Sequence, residues 1–186
     1  MKKISFITTN KHKVQEMQTI LHDYDIELVQ KEMEYPEDKE ADMESVAKKA
    51  AKDLAEELQE PVIVEDTGIY FKAYNNFPGP LPKFVIKGIG FDGVFRLLKG
   101  KERGAYFKTV IGYCEPSNTP ITFDGEVHGQ ITEKVVMPEV DVMPYDHIIL
   151  PEGQTKTIVE MTLEEKNKIS QRGEATRKLG EYLKSL

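Results

Sequence analysis

The chain has 186 residues, with 25 Lys+Arg against 32 Asp+Glu for a formal net charge of −7, and is 39% hydrophobic and 31% charged. That length suits one sizeable α/β core or two small lobes but not two full-sized domains, and the composition argues against disorder. The acidic balance disfavours a protein that coats nucleic acid, and a lone cysteine, Cys114, excludes an internal disulfide or a Cys-rich zinc site and agrees with a reducing compartment.

The opening MKKISFITTN has basic residues followed by only a short apolar run, so neither a signal peptide nor a membrane span fits, and the cytoplasm is the expected location. KISFITT reads as a strand that ends in Thr8 and Thr9. Asn10 then suits the N-cap of a helix with Val14, Met17 and Leu21 at helical spacing. IELVQ is a second strand. After the acidic segment EMEYPEDKEADMES, a helix from Met43 carries Val46, Ala50, Leu54 and Leu58 on one face.

PVIVEDTG is a β-branched run expected to form a buried strand ending at a turn near Gly68, with IYFKAY as further strand. NNFPGPLPKF is expected to be a loop, since its prolines remove amide donors, and GVFRLL a short helix. AYFKTVIGYC, the turn EPSNTP and ITFDGEVHGQI read as a long hairpin in which Cys114 is packing. VMPEVDVMPYD is an irregular connection. Thr162 with Glu165 three residues on makes a capping box for the next helix, which should end near Gly173, and a last helix carries Leu179 and Leu183. The pattern is α/β with a long antiparallel element.

Four groups of residues could do chemistry. Thr8, Thr9, Asn10, Lys11 and Lys13 sit at a strand-to-helix turn, where free amides, hydroxyls and lysines suit a phosphate; taken alone they serve an ordinary capped helix equally well. No Walker motif is present. Glu65 and Asp66 stand where an open α/β sheet tends to place ligands, yet Asp and Gly also favour turns, and strand alternation sends only one of the pair squarely into a given cleft. Glu37, Asp38, Glu40 and Asp42 are hard oxygen donors of the kind Mg²⁺ accepts, or else a solvated acidic loop. The four histidines lie too far apart for a zinc site. Lys166, Lys168, Arg172, Arg177 and Lys178, with Gln171 among them, form a stretch whose cations, on spacing alone, read as compensation of a helix dipole. Screening over about 8 Å allows such a local cluster to hold an anion on an acidic protein.

In their order along nearly the whole chain, FITTNKHKVQEM, YPE, VEDTG, FPGPLPKF, AYFKTVIGYC, PYD and EMTLEEKNKISQRG resemble segments of the inosine triphosphate pyrophosphatase family. The resemblance implies an elongated mixed β-sheet with flanking helices, a single unit over residues 1–186 with two lobes around a deep central cleft, and commonly a homodimer. It implies Mg²⁺-dependent hydrolysis of non-standard purine nucleoside triphosphates to monophosphates and pyrophosphate. Thr8, Asn10 and Lys13, with Thr9 between them, would hold the triphosphate, and Thr67, Lys83 and Lys166 would add phosphate or sugar contacts. Glu37 and Asp66 would sit at Mg²⁺, with Asp66 also the proton acceptor for the attacking water. Tyr145, Asp146, Gln171 and Arg172 would line the nucleoside end. No nucleic acid or membrane partner is implied.

The chain departs from the family pattern at Thr9, where the family has glycine, at Met143 and Pro144 in place of phenylalanine and glycine, and at Gln171 in place of histidine. Methionine is softer and non-planar where an aromatic ring could stack, proline stiffens the backbone, and glutamine cannot charge near neutral pH. Altered or relaxed base selectivity is the expected consequence. The rival expectations are a nucleotide binder that no longer hydrolyses and a single-stranded RNA module built on Tyr70, Phe71, Tyr106 and Phe107; the retained carboxylates disfavour the first and the acidic balance the second.

Overall fold

A computed structural model of the chain describes residues 1–35 and 41–186. Strand β1 (Lys2–Ile7) leads through Asn10 into α1 (Lys11–Leu21), and β2 (Ile26–Lys31) returns beside β1 in parallel register from Lys2↔Ile26 to Ile7↔Lys31. Helix α2 (Met43–Leu58) follows, opened by the Asp42 side chain accepting from the Ser45 amide. Then come β3 (Val62–Phe71), β4 (Phe77–Gly79), α3 (Pro82–Leu97) and the hairpin β5 (Gly104–Cys114) with β6 (Ile121–Ile131). The chain closes with β7 (Ile149–Pro151), α4 (Leu163–Ile169) and α5 (Gln171–Ser185).

The strands form one seven-stranded mixed sheet in the order β2-β1-β3-β5-β6-β7, with β4 on β3. β1 lies parallel to its neighbours β2 and β3, and the pairs from β3 to β7 are antiparallel. Helices α1 and α5 cover one face over Ile4, Phe6, Ile63 and Ile111; α2 covers the other over Ile7, Val62, Val64 and Val110. A third cluster gathers Ile69, Phe71, Val94, Phe107 and Ile148 at the far end of β3, β5 and β6. No helix among the described residues is long and apolar enough to cross a membrane.

Several expectations need correction. β3 does not stop at Gly68: it runs on through ten residues because β5 pairs with it from Val62↔Cys114 to Phe71↔Ala105. Only the parallel pairing with β1 stops early, at Phe6↔Ile63, so Glu65 and Asp66 lie in mid-strand just beyond the end of that partner. Gly68 serves close packing instead of a turn, since a Cβ there would stand 2.9 Å from the Gly79 carbonyl oxygen and 2.8 Å from the Tyr70 ring. The proline-rich stretch is not wholly a loop; it contains β4, and α3 begins at Pro82, where a missing amide costs the helix nothing. α3 is also longer than expected and is broken at Gly90, whose φ of 63° suits glycine.

The last correction matters most for the site. α4 ends at Ile169, and Ser170 caps α5 by accepting from the Gly173 amide, so Gln171 and Arg172 open the final helix rather than closing the one before it. A cation there opposes the helix dipole and requires carboxylates nearby.

Candidate active site

A cleft of about 770 Å³ lies where the first turn of α1, the middle of β3, the first half of α3, residues 142–146 and the start of α5 meet. It is lined by Thr8, Thr9, Asn10, Lys13, Asp66, Thr67, Lys83, Tyr145, Asp146, Gln171 and Arg172. Every residue that the family resemblance assigned to the site is therefore in one place except Lys166, which lies behind the wall, and Glu37, which with Asp38 and Glu40 falls outside the described residues. The cleft also contains residues that sequence reasoning missed, among them His12, Glu34, Tyr35, Ile86, Lys87 and Phe107.

The entry to α1 is built locally. The Asn10 side-chain oxygen accepts from the His12 and Lys13 amides at 3.0 and 3.4 Å, so two of the helix's amides are already satisfied within the chain. The Asn10 amide nitrogen donates to Met143 Sδ at 3.2 Å, and His12 Nε2 lies 3.4 Å from Asp141. These two contacts tie the first helical turn to the segment that carries Pro144 and Tyr145. The Tyr145 hydroxyl donates to the Pro82 carbonyl at 3.2 Å and so binds the same segment to the start of α3.

Beneath the cleft runs a chain of alternating charges, in the order Asp146, Lys166, Glu16, Arg172, Glu65 and Lys13. Lys166 Nζ stands 2.5 Å from Asp146 and 2.7 Å from Glu16. Arg172 Nη1 is 2.5 Å from Glu16 and Nε 3.2 Å from Glu65. Lys13 closes the chain against the Glu65 carboxylate and donates to the Glu65 carbonyl at 3.1 Å. Thr67 Oγ1 donates to Glu65 at 2.6 Å and accepts from Arg172 Nη2 at 3.3 Å. Arg172 is 2% exposed, so its guanidinium is engaged on three sides within the protein.

The electrostatics follow from that geometry. Burial by itself would raise the Glu65 carboxyl, but Lys13 and Arg172 outweigh it and hold the group down to about 2. Glu16 likewise titrates below its ordinary value, because Arg172 and Lys166 overcome its desolvation. For Asp146 the balance goes the other way: burial pushes it up, Lys166 offsets only part, and the Glu16 charge adds to the rise. Burial also raises the Tyr145 phenol.

β3 separates the two acidic residues as strand alternation requires. Glu65 turns towards Arg172 and is 4% exposed, whereas Asp66 is only partly buried, borders the cleft and accepts from the Thr67 amide at 2.9 Å. Among the described residues no group of three His, Cys, Asp or Glu side chains forms a metal site.

One further side chain stands out. Gln171 is 7% exposed and lines the cleft, yet its carboxamide has no hydrogen-bond partner among the described residues. A carboxamide with no protein partner on the cleft wall offers a ligand both a donor and an acceptor. Glu16 could have been suspected from sequence, because it occupies the apolar stripe of α1 beside Met17 and Ile20. Lys87 gave no signal beyond its spacing of four from Lys83.

A sequence profile described as the Ham1 family matches residues 4–182. The chain is 42% identical over 184 residues to a dITP/XTP pyrophosphatase of Methanopyrus kandleri, covering 98% of this chain and 97% of that one. It is 40% identical over 186 residues to a dITP/XTP pyrophosphatase of Methanosarcina acetivorans, with 100% and 99% covered. A solved HAM1 protein structure from Coxiella burnetii superposes with a TM-score of 0.80 at 26% identity over 100% of both chains.

Proposed function

Since the chain belongs to the Ham1 family, we propose that it is a nucleoside triphosphate pyrophosphohydrolase that converts non-standard purine triphosphates, those of inosine and xanthosine and their deoxy forms, to monophosphate and pyrophosphate. The observation that carries this is the convergence, in one cleft, of polar residues from opposite ends of the chain, Thr8 to Lys13 with Asp146, Gln171 and Arg172. The same cleft holds a partly buried carboxylate, Asp66, and lysines on two sides.

In this reading the start of α1 and Lys83 bind the phosphates, and Tyr145, Asp146, Gln171 and Arg172 form the nucleoside end. Asp66 orients a water and takes its proton as the new oxygen–phosphorus bond forms and the α–β anhydride bond breaks, so that pyrophosphate leaves. The donor chemistry fits Mg²⁺, which takes one or two carboxylates together with substrate phosphates: Asp66 and Glu34 line the cleft, and Glu37 is the second ligand the family resemblance implies. When bound, Mg²⁺ supplies neutralisation of phosphate charge and a more acidic water. Lys166 acts on substrate through Asp146 and Glu16, which it holds.

The unpaired Gln171 amide supports altered base selectivity, because it offers a donor and an acceptor where a histidine would offer a ring. The reading includes one nucleotide-binding unit with two lobes over residues 1–186, a cytoplasmic site of action and a homodimer; Phe77 and Phe84, 46% and 72% exposed, offer apolar surface that a second copy could cover.

The test is Mg²⁺-dependent release of pyrophosphate from inosine, xanthosine, guanosine, adenosine and pyrimidine triphosphates, with Asp66→Asn as the comparison. Release from the first two that drops by roughly 10²–10⁴ in the variant is expected. Binding without release from any nucleotide would replace the hydrolase with a non-catalytic binder.

A further inference from the structure

Three of the cations expected at the site are cancelled inside the protein. Lys13, Lys166 and Arg172 face Glu65, Glu16 and Asp146, three positive groups against three negative, a formal sum of zero. His12 lies against Asp141. Asp66 and Glu34 add negative charge to the cleft wall. A polyanionic phosphate chain entering this cleft therefore needs positive charge from elsewhere.

Two cleft-lining lysines remain, Lys83 and Lys87, and among the described residues neither ammonium has a carboxylate or hydrogen-bond partner. They stand four apart on the first half of α3, and side chains at that spacing share one helix face. Ile86 lines the cleft beside them, while Val85, 5% exposed, anchors this half of the helix in the core and Phe84 points out to solvent. The Gly90 break lets Pro82–Ile89 run independently of the following turns, so this face meets the cleft while the second half of α3 packs through Val94.

We propose that Lys87 is a second phosphate-binding residue, paired with Lys83 across the phosphate chain of the substrate. Lysine suits the task as a compact charge on a flexible stem that can follow a phosphate group. The inference rests on a triphosphate being the ligand, and it deepens that reading by placing the uncompensated charge on α3 and not on the conspicuous cationic cluster near the carboxyl terminus.

The experiment compares the native protein with Lys87→Gln, Lys87→Arg and a control beyond the carboxyl end of α3, Lys99→Gln. Two readouts are taken over a range of salt: pyrophosphate release from inosine triphosphate, and calorimetric binding of inorganic tripolyphosphate. Lys87→Gln should raise KM and weaken tripolyphosphate binding roughly tenfold, as loss of one charge-assisted contact predicts, with kcat within about twofold and a shallower salt dependence. Lys87→Arg should keep most of the binding, Lys99→Gln all of it, and none should shift the melting temperature. Binding in Lys87→Gln equal to the native protein, or an equal loss in Lys99→Gln, would overturn the assignment. If the native protein released no pyrophosphate, the hydrolase would fail by itself, and the tripolyphosphate measurement would still decide Lys87.

Discussion

Arg172 and Glu16, 156 residues apart in sequence, meet at 2.5 Å between Nη1 and Oε2 and join the start of the last helix to the first helix beneath the cleft. A guanidinium at a helix amino terminus opposes the dipole there, so its placement depends on the carboxylates of Glu16 and Glu65. Breaking a buried pair on one side leaves an uncompensated charge, which costs about 3–5 kcal/mol. Glu16→Gln should therefore lower the melting temperature by roughly 10 °C in a chain of this size. Glu164→Gln, which removes only the exposed pair with Lys168, should leave it where it is. Equal shifts in the two variants would show that the buried chain of charges does not hold the fold.

Acid should unfold the protein through Glu65. Its folded value of about 2 lies below the ordinary 4.5, so its stabilisation is complete above pH 4.5 and is lost as pH falls through the window down to about 2. The full loss is on the order of 3 kcal/mol. Glu16, also lowered, adds in the same direction, and Asp146, raised by burial, opposes it as pH rises above its ordinary range. Urea midpoints measured from pH 6 to pH 2 should fall steeply below 4.5 in the native protein and more gently in Glu65→Gln. A slope unchanged in the variant would remove Glu65 as the cause.

Asn10 has two duties that substitution can separate. Asn10→Ala loses the cap on α1 and should cost about 1 kcal/mol. Asn10→Asp keeps a capping oxygen but replaces the amide that donates to Met143 Sδ with a negative charge beside the proposed phosphate end. Thermal melting should show Asn10→Asp near the native protein and Asn10→Ala below it, while both raise KM for inosine triphosphate, the aspartate more. A native KM in Asn10→Asp would mean that this turn does not face phosphate.

Gln171 should set the pH profile and selectivity together. Its amide cannot ionise near neutral pH, so kcat/KM for inosine triphosphate should carry no limb from this position between pH 5 and 8. Gln171→His should introduce one and should widen the preference for inosine over adenosine triphosphate severalfold. Identical profiles and rankings in the two proteins would take Gln171 out of the base-reading end.

Local patterns in the chain were enough for most elements. Asn10 and Thr162 are caps because their side chains satisfy nearby amides, β5 and β6 alternate as a hairpin should, and Cys114 is packing, all interactions within a few residues or one strand pair. The ordered motifs also led to Thr8, Asp66, Lys83, Asp146 and Arg172, which the fold does bring to one cleft. Tertiary structure decided what sequence order could not. β3 runs through Gly68 because β5 pairs along its whole length, and α5 starts at Gln171 because Ser170 is free to cap it. Above all, which cations are cancelled depends on distances between residues 52 to 156 positions apart: Glu16 faces Lys166 and Arg172, Glu65 faces Lys13, and Lys83 and Lys87 have no such partner among the described residues. Coulomb attraction depends on distance in space and on burial, and neither is written in residue spacing along the chain.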